Sequence, residues 1–201
     1  WTEYSNQHSI PTDCPQRDER MGWLNDMAAR SEQMLYNFDV SRFLHKWLDD
    51  IQDTQSADGA ITDTAPYRWG NRPADPVRGC YLLIPWLLYL HYGDAHTLAD
   101  HYDRIKAWVD YLTRRSEDHL LKYSYYGDWA PPLKESTTGI IGDSAISSGT
   151  PGEIMSTGCY YYSAHLLSQM AQVLGKTADA SQYTDLAKTV AEAYNQRFWD
   201  E

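Results

Sequence analysis

The sequence has little cysteine, and its three cysteines form no recognisable framework. Cys14, Cys80 and Cys159 are an odd number at long spacings, with no C-x-x-C pair and no Cys/His cluster of zinc-ligand spacing. The seven histidines are scattered, and none lies in an H-E-x-x-H pattern. We therefore expect neither a disulfide scaffold nor a catalytic metal, and no other cofactor.

Long apolar runs and excess positive charge are also lacking. The longest apolar run, Cys80 to Leu90, contains Pro85 and is well short of the ~20 residues that a membrane-spanning helix needs. The formal charge of −11 would repel a phosphate backbone or an anionic membrane surface. We expect a soluble chain that binds neither nucleic acid nor a membrane. The sequence begins at Trp1 without a signal core, so it leaves the compartment open.

The amino-acid composition fits one globular unit that is rich in amphipathic aromatic residues. The chain has 201 residues, 42% of them hydrophobic, and no low-complexity tract. Eight Trp and sixteen Tyr against three Phe favour rings that carry a polar edge. Such rings can stack on sugars in a partly solvated cleft. Packing at helix ends would explain the same choice of aromatic residues equally well.

Apolar residues recur at helical spacing in six segments, separated by alternating tight turns and long loops. The segments predict helices over 23–38, from a cap at Asp39 to residue 51, over 79–92 with a kink at Pro85, from Asp94 through residue 112, over 153–174 and over 180–199. The long loops are 60–78 and 119–152. The pattern predicts an all-α fold of three antiparallel hairpins, either a solenoid or part of a closed ring, with the long loops on one face.

Charged side chains are most concentrated in Thr12 to Asp26, where four carboxylates and two arginines surround a predicted helix start. In one interpretation Asp13 is an N-cap, with Gln16 completing a capping box, and the other charges are solvated. In the other, Glu19 is the acid of a glycosidase, desolvated by Trp23 at i+4 on the same helix face, while Arg17 and Asp18 point elsewhere.

The motif "DCPQRDERMGW", with Asp26 after it, resembles the signature of glycoside hydrolase family 78, the bacterial α-L-rhamnosidases. "GDW" at 127–129 and the hairpin sequences "IPWLLYLHYGD" and "YYYSAHLLSQMAQVLG" also resemble that family. The resemblance implies an (α/α)6 barrel that hydrolyses terminal α-L-rhamnosides with inversion. It implies that residues 1–201 are the N-terminal part of this catalytic domain, since three hairpins cannot close a ring of six.

The resemblance also implies roles by position. Glu19 matches the family's general acid, and its general base would lie outside this chain. The implied sugar-binding residues are Asp13, Arg17, Trp23, Asp26, Asp128 and Trp129. Many members have Trp-Gly-Asp-Ala where this chain reads "RWGNRPADPVRGCY", so Asp75 either substitutes for that aspartate and joins the binding residues or is a turn residue between prolines.

Two alternatives stay open. Related (α/α)6 glycosidases act on other sugars with the same acid and base chemistry, and "LN" at Leu24-Asn25 replaces a common Thr-Gly of the family. A homologue without catalysis would bind carbohydrate only. The runs Tyr123–Tyr126 and Tyr160–Tyr162 are interpreted as packing residues rather than as part of the site.

We predict that residues 1–201 alone are marginally stable, aggregate or self-associate, because hairpin faces meant for neighbouring hairpins would be exposed to water. Light scattering of the isolated chain checks this. A stable, compact monomer would contradict it.

Overall fold

The computed structural model describes residues 1–77, 79–129 and 150–199, and within these ranges it contains seven α-helices and no strand. A short 3₁₀ turn at Pro15–Arg17 precedes the second helix. The α-helices are α1 (Thr2–Ser5), α2 (Leu24–Asn37), α3 (Ser41–Thr54), α4 (Cys80–Tyr92), α5 (Ala95–Arg115), α6 (Gly152–Val173) and α7 (Thr177–Phe198). The predicted all-α class is confirmed. Helix α1 was missed, and α7 begins three residues before the predicted start.

Tight turns join α2 to α3, α4 to α5 and α6 to α7, as predicted for three hairpins. Gly93 and Gly175 end α4 and follow α6 in the left-handed conformation that glycine adopts readily. Asp94 caps α5, its Oδ1 accepting the Thr97 backbone N–H at 3.0 Å. The predicted cap at Asp39 is wrong, because α3 starts at Ser41 and Val40 occupies the cap position without a side-chain bond.

Helix α4 lies at the centre of the helical core. It packs against α2, α3, α5 and α6, and Pro85 lies within the helix. A helix surrounded in this way is apolar on all sides, which explains the uninterrupted apolar run in its sequence. Its buried residues are Cys80, Tyr81, Leu82, Ile84, Pro85, Leu87 and Leu88. Among the residues described, no helix combines the length and apolarity required to cross a membrane.

The loop after α3 is held against the segment that leads into α2. Trp23 and Thr64 form an isolated β-bridge, in which the Ala65 N–H donates to the Gly22 carbonyl at 3.0 Å. The Trp47 indole N–H also donates to the Ala65 carbonyl, at 2.8 Å. A Cβ on Gly22 would lie 2.3 Å from that carbonyl oxygen, so only glycine permits this approach. The bridge brings the acidic motif and the first long loop to the same end of the helices.

We predict that Ile84→Ala destabilises the domain by about 2–5 kcal/mol, because the fully buried side chain would leave a cavity in α4. Leu90→Ala is the matched control on the same helix. Leu90 is 59% exposed, and its truncation is expected to change the free energy of unfolding by less than about 0.5 kcal/mol. Urea unfolding of both variants measures this, and equal losses would contradict the central position of α4.

Candidate active site

The acidic motif forms a closed loop rather than a helix. The Asp13 N–H donates to the Met21 carbonyl at 3.1 Å, and the Arg20 N–H donates to the Asp13 carbonyl at 3.2 Å. Between them the 3₁₀ turn Pro15–Arg17 reverses the chain, flanked by Cys14 and Asp18 at left-handed φ values of 38° and 59°. The prediction of a capping box at Asp13 is therefore wrong, because α2 begins only at Leu24.

Glu19 is held by two donors at the inner side of this loop. Its Oε1 accepts the Trp23 indole N–H at 2.7 Å, and its Oε2 accepts from Arg17 at 3.0 Å. The predicted contact between Glu19 and Trp23 is present, but it arises from the loop and not from a shared helix face. The expectation that Arg17 points away is wrong, whereas Asp18 points outward and pairs with Arg20.

Asp13 lies beside Glu19, and its own surroundings favour a bound proton. Its Oδ1 accepts the Met21 backbone N–H at 3.2 Å. Burial, followed by the negative charge of Glu19, raises the pKa of Asp13 to about 6, and the charge of Asp26 acts in the same direction. Two carboxylates this close favour the state in which one of them is protonated. The loop therefore holds a proton beside Glu19 at mildly acidic pH.

Aromatic rings from separate segments line the same cavity as these carboxyl groups. The Trp23 ring meets the Tyr126 ring edge to face, with centroids 5.8 Å apart. Tyr126 meets Trp129 in the same manner at 5.4 Å. Edge-to-face contacts fix ring orientation more tightly than burial alone. The three rings, which we call the aromatic wall, present both apolar faces and polar edges to the space beside Glu19.

A cavity of about 290 Å³ opens between the aromatic wall and the closed loop Asp13–Met21, which we call the acid loop. Its lining includes six of the predicted site residues, namely Asp13, Arg17, Glu19, Trp23, Asp26 and Trp129. Three lining residues were missed: Cys14, Trp69 and Tyr126. The sequence favours a packing role for Tyr126, and Trp69 lies in the "RWGN" stretch that departs from the family pattern. Trp69 is 63% exposed, so its ring is accessible to a ligand in the cavity.

Asp75 and Asp128, the other two predicted binding residues, lie outside the cavity lining. Asp128 is half-buried, and its Oδ2 accepts the Thr150 hydroxyl at 3.1 Å. Asp75 is fully buried, and its carboxylate binds backbone N–H groups. Contact of either residue with a sugar stays a prediction.

One group of side chains in the cavity has a spacing that would suit a metal ion. Ligand atoms of Asp13, Cys14 and Glu19 all lie within 4.8 Å of one another. Arg17 donates to the Cys14 sulfur at 2.8 Å, and burial raises the pKa of the Cys14 thiol, which keeps it protonated and a poor ligand. The close spacing of these three side chains is explained by the Asp13–Glu19 carboxyl pair and by the contacts of Arg17. The expectation of no metal stays a prediction.

Comparison with known proteins agrees with this geometry. Residues 1–201 match the family described as bacterial alpha-L-rhamnosidase 6 hairpin glycosidase domain. An alpha-L-rhamnosidase of Streptomyces avermitilis is 37% identical over 201 residues, covering 98% of this chain and 18% of that protein. One from Formosa agariphila is 32% identical over 200 residues, covering 99% of this chain and 21% of its own length.

Solved structures show the same fold. The alpha-L-rhamnosidase from Dictyoglumus thermophilum superimposes with a TM-score of 0.92 at 39% identity, over 100% of this chain and 22% of that one. The Streptomyces avermitilis alpha-L-rhamnosidase complexed with L-rhamnose superimposes with a TM-score of 0.87 at 35% identity, over 100% of this chain and 18% of that one.

The helical hairpins and the acidic cavity with its aromatic wall place the chain among the six-hairpin glycosidase domains. The chain belongs to the bacterial alpha-L-rhamnosidase six-hairpin glycosidase family. The resemblance seen in the sequence is thereby confirmed. The chain spans between 18% and 22% of the length of the relatives compared above.

We predict that Asp13 titrates near pH 6 and that Glu19→Gln lowers the pKa of Asp13 toward its ordinary value, because the neighbouring negative charge is removed. Carboxyl ¹³C chemical shifts of labelled aspartate, followed against pH, measure this. Asp26→Asn serves as the comparison and should lower the Asp13 pKa less. If Asp13 titrates near pH 4 in the unmodified protein, the interpretation that the loop holds a proton beside Glu19 is contradicted.

Proposed function

We propose that the protein containing this chain hydrolyses terminal, non-reducing α-L-rhamnosides with inversion, and that Glu19 is the general acid. The observation that supports this best is the position of the Glu19 carboxyl. It lines the cavity beside the aromatic wall, held by the Trp23 indole N–H at 2.7 Å and by Arg17 at 3.0 Å. The relative complexed with L-rhamnose, at 35% identity, supports the choice of sugar.

The cavity suits the chemistry of rhamnose. Rhamnose is a 6-deoxy sugar, so C5 of its ring carries a methyl group, which would pack against indole and phenol faces without leaving a hydroxyl unsatisfied. We propose that Asp13, Arg17 and Asp26 bind the hydroxyls at the other edge of the sugar, because all three line the cavity from the acid loop and the first turn of α2. The cavity therefore has an apolar and a polar side, as this sugar requires.

In the proposed reaction Glu19 donates its proton to the glycosidic oxygen as the bond from that oxygen to the anomeric carbon breaks. Water adds to the opposite face of the anomeric carbon, and a second carboxylate takes the proton of that water. In inverting enzymes the two carboxyl groups stand about 6.5–9.5 Å apart to admit the water. We propose that residues 1–201 form the N-terminal part of the catalytic domain and that the base lies outside them.

Glu19→Gln in the complete protein tests the acid. Glutamine has nearly the same shape and still accepts the Trp23 N–H, but it has no proton to donate. We predict a loss of kcat/KM of about 10²- to 10⁴-fold for an alkyl α-L-rhamnoside. The loss should be much smaller for p-nitrophenyl α-L-rhamnoside, because p-nitrophenolate leaves without protonation. Kinetics on both substrates measure this difference.

Two controls accompany that experiment. Glu32→Gln changes an exposed glutamate on α2 and should leave both rates unchanged. p-Nitrophenyl α-D-glucoside should be a poor substrate, since its hydroxymethyl group would meet the aromatic wall. Equal losses on both rhamnosides would contradict an acid role for Glu19. A folded parent that turns over no rhamnoside would instead favour a carbohydrate-binding homologue.

A further inference from the structure

Asp75 has an unusual environment for a carboxylate, being fully buried and surrounded by donors. Its Oδ2 accepts the backbone N–H of Tyr125 at 2.5 Å and of Tyr126 at 2.7 Å, with a longer contact to Gly127 at 3.5 Å. The Ser124 hydroxyl donates to the same oxygen at 3.2 Å. Oδ1 accepts the Val77 N–H at 3.1 Å. An ionised carboxylate, which only accepts, matches every one of these partners.

A second buried carboxylate holds Asp75 in turn. Asp63 Oδ1 accepts the Asp75 backbone N–H at 2.8 Å, while its Oδ2 accepts the Asn71 backbone N–H at 2.6 Å. The Asp63 carbonyl accepts the N–H of Leu24, the first residue of α2, at 3.0 Å. The connection therefore runs from the start of α2 through Asp63 and Asp75 to residues 124–127, which lie far away in the sequence.

This connection ends at the aromatic wall. Tyr126, whose N–H is bound by Asp75, places its ring between those of Trp23 and Trp129. Trp23 in turn donates its indole N–H to Glu19. Asp75 itself does not line the cavity, so it influences the cavity through the backbone of residues 125 and 126.

We propose that Asp75 is a positioning residue of the rhamnoside site, whose buried carboxylate fixes the 124–127 turn so that Tyr126 completes the aromatic wall beside Trp23 and Glu19. This role differs from both alternatives for Asp75 in the sequence analysis, a direct sugar contact and a turn residue, and it rests on the proposed function. A displacement of about 1 Å at a binding wall is enough to change catalytic efficiency on the order of a hundredfold. The carboxylate is thus a determinant of sugar affinity without touching the sugar.

The test is a double-mutant cycle in the complete protein, using Asp75→Ala, Tyr126→Ala and the double variant. If Asp75 acts through Tyr126, each single variant lowers kcat/KM for p-nitrophenyl α-L-rhamnoside by roughly ten- to a hundredfold, mainly through KM. The double variant should then lose little more than Tyr126→Ala alone. Additive losses, as expected when Asp75 only stabilises the fold, would overturn the proposal.

Two further variants separate positioning from general stability and from direct chemistry. Asp94→Ala removes another carboxylate that binds a backbone N–H, at the start of α5, and should lower Tm without changing kcat/KM. Asp75→Asn keeps an acceptor for the Tyr125 and Tyr126 N–H groups and should recover most of the activity that alanine loses. A shifted pH–rate profile in Asp75→Asn would indicate direct participation in the reaction and would overturn the positioning role.

Hydrogen exchange gives a readout that does not depend on the proposed activity. In Asp75→Ala the N–H groups of Tyr125 and Tyr126 should exchange at least tenfold faster, while those in the middle of α2 remain protected. Unchanged exchange at these two residues would overturn the inference even in an active enzyme. A parent without rhamnosidase activity, but with the expected exchange and a reduced L-rhamnose affinity in Asp75→Ala, would refute only the proposed reaction.

Discussion

Backbone polar groups that are buried away from water must find partners, and in this chain that requirement is most demanding where the irregular segments 60–77 and 121–127 meet. Helices satisfy their own N–H groups, but irregular segments cannot. The carboxylates of Asp63 and Asp75, both fully buried, accept these N–H groups and join the loops to each other and to the start of α2. The cavity exists because the loops are fixed there, above a core built around α4.

The acid loop meets a related requirement by different means. It folds back on itself through paired Asp13 and Met21, and non-glycine residues adopt left-handed conformations to make the reversal. The result is a carboxyl group, Glu19, whose two oxygens each have a donor, with a partly protonated neighbour in Asp13. A bound proton on Asp13 reduces the repulsion between carboxyl groups within the loop. The loop thus concentrates acidic groups without the full electrostatic penalty of two adjacent charges.

Much of the fold could be predicted from the sequence because α2 to α7 each carry apolar residues at helical spacing, and because Gly93 and Gly175 mark turns. Six lining residues followed from one local motif and a short "GDW" segment. Local spacing could not show that residues 18–23 are a loop, since their charges suit a first helical turn equally well. Nor could it reveal Tyr126 and Trp69, which reach the cavity only through contacts between distant loops. Asp75 was noticed, but its burial depends on the same contacts.

The way Asp75 holds residues 124–127 has a consequence for how such a site changes during evolution. Its short contacts are with the backbone N–H groups of residues 125 and 126, which every residue except proline provides, so the side chains at these two positions can be exchanged without releasing the turn. The backbone contacts therefore set where a wall residue lies, whereas its side chain can vary. One buried carboxylate can hold the turn for different side chains, and a different ring at residue 126 would present an altered surface to a sugar at an unchanged place.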